Sequence, residues 1–294
     1  MQTATRLTAF TAGIAVVGGA AAAIGSVTGA TPPGGVSAER TAPAAMAMGS
    51  EAMAAVVPGA DGTSLSAGGM TLQPTSIRVA ARKQTTWTFR IVDSHGQAVR
   101  RFERDQTKLL HLIVARTDLT GYQHLHPTLG AGGTFSITMR LAAAGRYRAI
   151  ADFTTGHRRY VLGTDLVAPG RTTTVALPAA STRATTDGYT VSLKRPSKLT
   201  AGMETPMTFG ITRDGRPVTG LQPYLGASGH LVALHAGDLA YSHVHPTGRD
   251  LAHGSITFDT ALHKPGPYRL FLQFRTGGRV HTAAFTQNVD KDNS

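Results

Sequence analysis

Six histidines in two matching groups carry the chemistry this sequence offers. His111, His124 and His126 form the first group; His230, His243 and His245 form the second. In each, the leading histidine stands 13 residues before an H-x-H pair that ends in proline, "YQHLHP" at 122–127 and "YSHVHP" at 241–246. Residues i and i+2 of a strand project from one face, as chelation by two imidazoles requires. Between the leading histidine and the pair lie "TDLTG" and "AGDLA", both turn-like. A hairpin centred there sets His111 opposite His126 and His230 opposite His245, and directly opposed residues share a face. A slip of one residue would send the leading histidine to the other side. In this register each group is a donor set for Cu(II) or Zn(II), with metal–nitrogen distances of about 2.0–2.1 Å.

A fourth position would be open, water-filled or taken by a carboxylate. Asp152 is the candidate in the first copy; its counterpart in the second is Gln273, a poor ligand, with His281 on the next strand as a substitute. Asp118 and Asp238, in the turns, are alternative acceptors that would orient an imidazole from behind. The competing reading is structural: the imidazoles hydrogen-bond backbone groups and lock the hairpin onto a second sheet. Ile113, Val232, Tyr122 and Tyr241 share the expected histidine face and make it half apolar. Pro127 and Pro246 end the strand by removing an amide donor. His95, His157, His235, His253 and His263 have no counterpart in the other copy and read as solvated loop residues.

The elements that must position these rings are short strands. "TWTFRIV", "LLHLIVA", "FSITMRL", "YRAIADF" and "TTTVAL" are separated by "DSHG", "AAAG" and "APG"; runs of this length between turn residues predict antiparallel β-sandwiches. The order recurs: "TFRIVDSHGQAV", "HLIVARTDLTGYQHLHP" and "GRYRAIADFTTG" reappear as "TFGITRDGRPV", "HLVALHAGDLAYSHVHP" and "GPYRLFLQFRTGG". The period is that of a small domain and too long for a solenoid unit. The expected organisation is two tandem immunoglobulin-like or cupredoxin-like sandwiches at 70–178 and 188–290, joined by "LPAASTRATTDG".

Ahead of them, residues 1–30 hold Arg6 and an uncharged run from Leu7 to Ala30, the pattern of a signal peptide or a single membrane anchor. Residues 31–69 are rich in Ala, Gly, Pro and Ser and read as a disordered tether. Its Met46, Met48 and Met53 form either an incidental cluster or a loose Cu(I)-collecting tail. Both leader readings put the chain outside the cytoplasm, secreted or membrane-anchored.

"HLIVARTDLTGYQHLHP" and "HLVALHAGDLAYSHVHP", each followed by a "G-x-YR" strand, resemble a family of exported or membrane-anchored bacterial proteins with one or two H…D-L…H-x-H-P domains. The resemblance spans roughly 70–290 and implies a loose link to heavy-metal binding. The sandwiches are more distantly similar to periplasmic copper-resistance carriers. Those use an amino-terminal histidine that this chain lacks, so their ligand set does not transfer.

The composition narrows the function. With no cysteine, disulfides, thiolate metal sites and cysteine nucleophiles are excluded. The net charge of +12 fits attraction to anionic lipid or wall polymer, or plain solubility. The arginines are scattered, without the clustered patch that nucleic-acid binding needs. Within the expected domains the glutamates are Glu103 and Glu204, and G-x-S-x-G, P-loop and H-E-x-x-H motifs are absent, which argues against an enzyme. The expectation is a cell-surface metal-binding protein, copper before zinc, that buffers the ion or passes it to another membrane or exported protein. The alternative is a non-enzymatic extracytoplasmic scaffold or adhesion protein with structural histidines.

Overall fold

The computed structural model describes residues 54–292 apart from His245, and the backbone but not the side chain of His243. The leader and the three methionines of the tether lie outside the described residues. The described chain is all-β: nineteen strands and one short 3-10 turn, Ala131–Gly133.

Repeat 1 is a sandwich of two antiparallel sheets. One contains β1 (Ser66–Ala67), β2 (Met70–Pro74), β3 (Gln84–Val92), β7 (Thr134–Arg140) and β6 (Thr128–Leu129), in that order. The other has the order β5 (Gln123–Leu125), β4 (His111–Arg116), β8 (Gly145–Thr155), β9 (Arg158–Ala168). Repeat 2 has the same plan. Its first sheet runs β10 (Arg183–Thr186), β11 (Tyr189–Lys194), β12 (Glu204–Arg213), β17 (Ser255–Ala261), β16 (Pro246–Asp250), with β13 (Arg216–Pro217) beside β12. Its second runs β15 (Tyr241–Val244), β14 (His230–His235), β18 (Gly266–Thr276), β19 (Arg279–Val289). Strand β12, "ETPMTFGITR", alternates apolar and polar because only one of its faces meets a core: Met207, Phe209 and Ile211 are fully buried.

Strands β4 and β14 do not alternate, and the reason is the main architectural finding. Every residue of β4 is buried. Leu112 and Val114 enter the core of repeat 1, whereas Ile113 and Ala115 enter a third core shared with Val232, Leu234, Leu239, Tyr241 and Phe271 of repeat 2. On β14, Leu231 and Ala233 face repeat 2's own core while Val232 and Leu234 face repeat 1. The two four-stranded sheets therefore pack on each other. Tyr122 lies flat on Phe271 across this seam, with ring centroids 3.9 Å apart and planes 6° from parallel. A strand covered on both faces needs a continuous apolar run, which is why the sequence writes "HLIVA" and "HLVAL".

Two boundaries differ from expectation. Residues 54–69 are folded rather than a tether: Val57 and Ala60 are buried, Val57 N–H donates to the Arg159 carbonyl and Gly62 N–H to the Val161 carbonyl. Small residues let this segment lie flush along β9; at Gly163 an added Cβ would meet the Gly62 carbonyl oxygen 1.9 Å away. Likewise "STRATTDG" is not merely a linker, since β10 pairs with β11 and opens repeat 2 before residue 188. No helix among the described residues is long and apolar enough to cross a membrane.

Candidate metal centre

The ladder between β4 and β5 pairs Leu112 with Leu125, Ile113 with His124 and Val114 with Gln123. Continued by one residue, that register opposes His111 and His126. The turn that fixes it explains the Asp-Leu pair of the motif. Asp118 Oδ1 accepts from the Thr120 amide (3.2 Å) and hydroxyl (2.6 Å), and Asp238 Oδ1 from the Ala240 amide (3.0 Å). The following Leu119 and Leu239 take positive φ, 64° and 56°, and bury themselves in the inter-repeat core. Left-handed backbone costs a leucine roughly 1–2 kcal/mol, an amount that burying its side chain offsets. After the H-x-H pair, the proline interrupts the ladder and the chain changes sheet, from β5 to β6 and from β15 to β16.

His111, His124 and His126 converge. One ring nitrogen from each lies within 4.8 Å of the others. The His124 and His126 centroids are 4.8 Å apart, and that of His111 is 5.2 Å from the first and 5.0 Å from the second. His111 and His124 are buried and His126 half-buried. His230 arrives from repeat 2, its centroid 5.6 Å from His124 and 6.3 Å from His111. The described cluster thus sits on the inter-repeat seam.

The outward bonds of these rings aim their lone pairs. His111 Nε2–H donates to the Asp105 carbonyl at 3.2 Å, and His230 Nε2–H to the Tyr224 carbonyl at 3.0 Å. His124 Nδ1–H donates to Gln273 Oε1, a repeat 2 atom, at 2.7 Å. Gln273 Nε2 in turn donates to Thr282 Oγ1 at 3.4 Å, which orients the amide. A neutral imidazole has one N–H. His111 Nδ1 and His124 Nε2 face each other at hydrogen-bond distance, 2.9 Å, with donor and acceptor set by the ring tautomers. Either a shared proton or a metal ion can occupy the space between them. Burial first, then the neighbouring His111 and His126, push the His124 pKa down to about 3, which disfavours the proton. Burial and the neighbouring His111, Lys108 and His230 bring His126 to about 3 as well. Its Nε2 is buried with no hydrogen-bond partner among the described residues.

These residues fit a transition metal ion. Two nitrogens bound to one ion at about 2.0–2.1 Å are at most about 4.2 Å apart, so the widest pair must close by several tenths of an ångström.

The remaining sequence candidates go elsewhere. Asp152 shares the ladder with His111, but its carboxylate is not in the imidazole group. It accepts from Arg159 Nε (2.8 Å) and Nη2 (2.6 Å) and from the Tyr241 hydroxyl of repeat 2 (2.8 Å). The Arg159 pair is almost solvent-free, at 5% and 2% side-chain exposure. His281 is on the wrong face: Thr282 is the residue paired with Gln273, and His281, one position away, pairs with Phe274 and bonds Asp187 Oδ2 at 2.7 Å. Asp118 and Asp238 serve their turns and their cations, Arg116 and Lys264. Asp238 also takes His235 Nδ1, so that ring, at the end of β14, is not a solvated loop residue. The β15 ladder pairs Val232 with His243 and Leu231 with Val244; the His243 side chain and all of His245 lie outside the described residues. The sequence reading missed the orienting acceptors. The Asp105 and Tyr224 carbonyls left a signal in lying six residues before the leading histidine of each copy. Gln273 left none.

A family model described as a domain of unknown function, DUF8832, matches residues 65–168 and again 184–291. No curated protein matches. Among solved structures, the Escherichia coli adhesin FdeC shares 18% identity over 77% of this chain and 65% of its own, with a TM-score of 0.26. Trypsin-activated alpha-2-macroglobulin from Escherichia coli shares 14% over 80% of this chain and 16% of its own, TM-score 0.26. The fibronectin(III)-like modules of Clostridium thermocellum CbhA share 12% over 75% of this chain and 95% of theirs, TM-score 0.23. Overlaps this loose carry no argument about ligand or partner.

Proposed function

We propose, for a chain that belongs to the DUF8832 family and carries two copies of its domain, that it is a non-enzymatic metal-binding module. His111, His124 and His126 hold one divalent transition metal ion. The observation that carries this reading is the inward aim of His111 Nδ1 and His124 Nε2, 2.9 Å apart, beside a buried His126 Nε2. A purely nitrogen set favours Cu(II), with Zn(II) second, by the divalent stability order. Among the described residues the donor group holds imidazoles and no carboxylate, which fits storage or transfer better than hydrolysis. With an exported or membrane-anchored leader, such a module would buffer the ion at the cell surface or pass it to another exported protein.

One observation favours a second reading, the scaffold. Turned over, the Gln273 amide would donate to His124 Nδ1, His124 Nε2–H to His111 Nδ1, and His111 Nε2–H to Asp105. That closed chain would lock the two repeats without any ion. Calorimetric titration of the untagged chain with Cu(II) separates the readings. The metal module takes up about one ion per described trio, and the His124→Ala, His126→Ala double variant loses that uptake. The scaffold shows a melting temperature indifferent to Cu(II) and EDTA, lowered by the same substitutions.

A further inference from the structure

We propose that Gln273, on repeat 2, is a positioning residue for the metal centre of repeat 1, so that the centre is complete only when the repeats are docked. The inference rests on the metal reading above. Gln273 stands in β18, paired with His230 on one side and Thr282 on the other. It is 7% exposed. Its Oε1 lies 2.7 Å from His124 Nδ1, 149 residues away in sequence, while Thr282 Oγ1 holds the other end of the amide. The seam around it is apolar and buried: Tyr122 lies on Phe271, and Ile113, Ile150, Val232 and Leu234 fill one core.

A metal-bound imidazole works best when its second nitrogen donates to a fixed acceptor, which sets the tautomer and the ring plane. His111 finds that acceptor within its own repeat, at Asp105. His124 finds it, among the described residues, across the seam at Gln273. At the same ladder position repeat 1 carries Asp152, which receives the Tyr241 hydroxyl of repeat 2. The two equivalent positions therefore both reach across the seam, with different chemistry. By linkage, whatever holds the repeats together tightens the ion, and the ion tightens the repeats.

The test is a competition titration of the full untagged chain with Cu(II). It compares wild type with Gln273→Met, Gln273→Asn, Gln273→Glu and His124→Ala. Methionine keeps the length but not the acceptor, and asparagine keeps the amide but withdraws it by about 1.5 Å. Both should weaken Cu(II) by about 10–100-fold and change its electron paramagnetic resonance spectrum. Glutamate restores an acceptor and should bind within about threefold of wild type, a rescue that a packing role would not give. Metal-free melting curves identify a variant that fails to fold; if methionine does, asparagine decides. The inference is overturned if wild type binds and His124→Ala does not, yet the methionine and asparagine variants both bind like wild type. If wild type itself takes no Cu(II), or His124→Ala binds equally well, the metal reading fails and this inference with it.

Discussion

Replacing Arg159 with methionine should lower the unfolding free energy by about 3–5 kcal/mol, roughly 10 °C in melting temperature for a chain of this size. Burial works against the charge of Arg159, but the carboxylate of Asp152 beside it outweighs burial and holds the guanidinium more firmly protonated than usual. Two charge-assisted bonds, 2.8 and 2.6 Å long, satisfy the carboxylate in a nearly dry setting. Methionine fills the space but takes the Arg159 charge and its two hydrogen bonds from Asp152, and the Tyr241 hydroxyl at 2.8 Å replaces only part of that. An isolated buried charge costs far more than the intact pair ever contributes. The double variant Asp152→Asn, Arg159→Met should therefore recover most of the loss. Chemical denaturation of the two variants and wild type measures both numbers. A single-variant loss below about 1 kcal/mol would mean that water reaches the pair.

Acid should weaken the metal-free protein well above the carboxylate range. An unfolded histidine titrates near 6.5, whereas His124 in the fold is held at about 3, by burial first. Between those values the unfolded chain takes up a proton that the native state refuses. This stability is thus complete above about pH 6.5, falls by roughly 1 kcal/mol for each unit below it, and stops falling near pH 3. His124 alone contributes a loss of order 4 kcal/mol across that window. His126 adds less, being nearer solvent. The carboxylates act lower: Asp238 is held down to about 2 because, against its burial, it accepts a hydrogen bond from the Lys264 ammonium. Urea midpoints in EDTA from pH 7 to 4 should slope downward in wild type and flatten in His124→Gln. A wild-type midpoint level across that range would contradict the burial of neutral rings.

The strands, the duplication and the histidine register were legible because each rests on local chemistry. Alternation in "ETPMTFGITR" reports one buried face. A constant spacing of 13 with an Asp-Leu turn fixes which residues oppose each other. The docking of the repeats was written less plainly. "HLIVA" announces a strand buried on both faces, but not what covers the second face, since apolar packing is non-directional. Asp152 illustrates the same limit. Its place opposite His111 follows from the ladder, whereas its preference for Arg159 depends on a charge brought back by the next strand. Gln273 was discounted as a weak ligand; what the structure gives it is a hydrogen bond to His124, 149 residues away, which no local pattern announces. The segment 54–69 looked like linker because alanine and glycine are common in linkers, yet small residues are what close approach to β9 demands.

X-ray absorption at the copper edge, on the untagged chain loaded with one equivalent of Cu(II), tests the centre most directly. Three imidazole nitrogens at about 2.0 Å, reduced in number when His124 and His126 are replaced by alanine, are the expected result. A first shell of water and carboxylate oxygens, or an imidazole count unchanged by those substitutions, would contradict it.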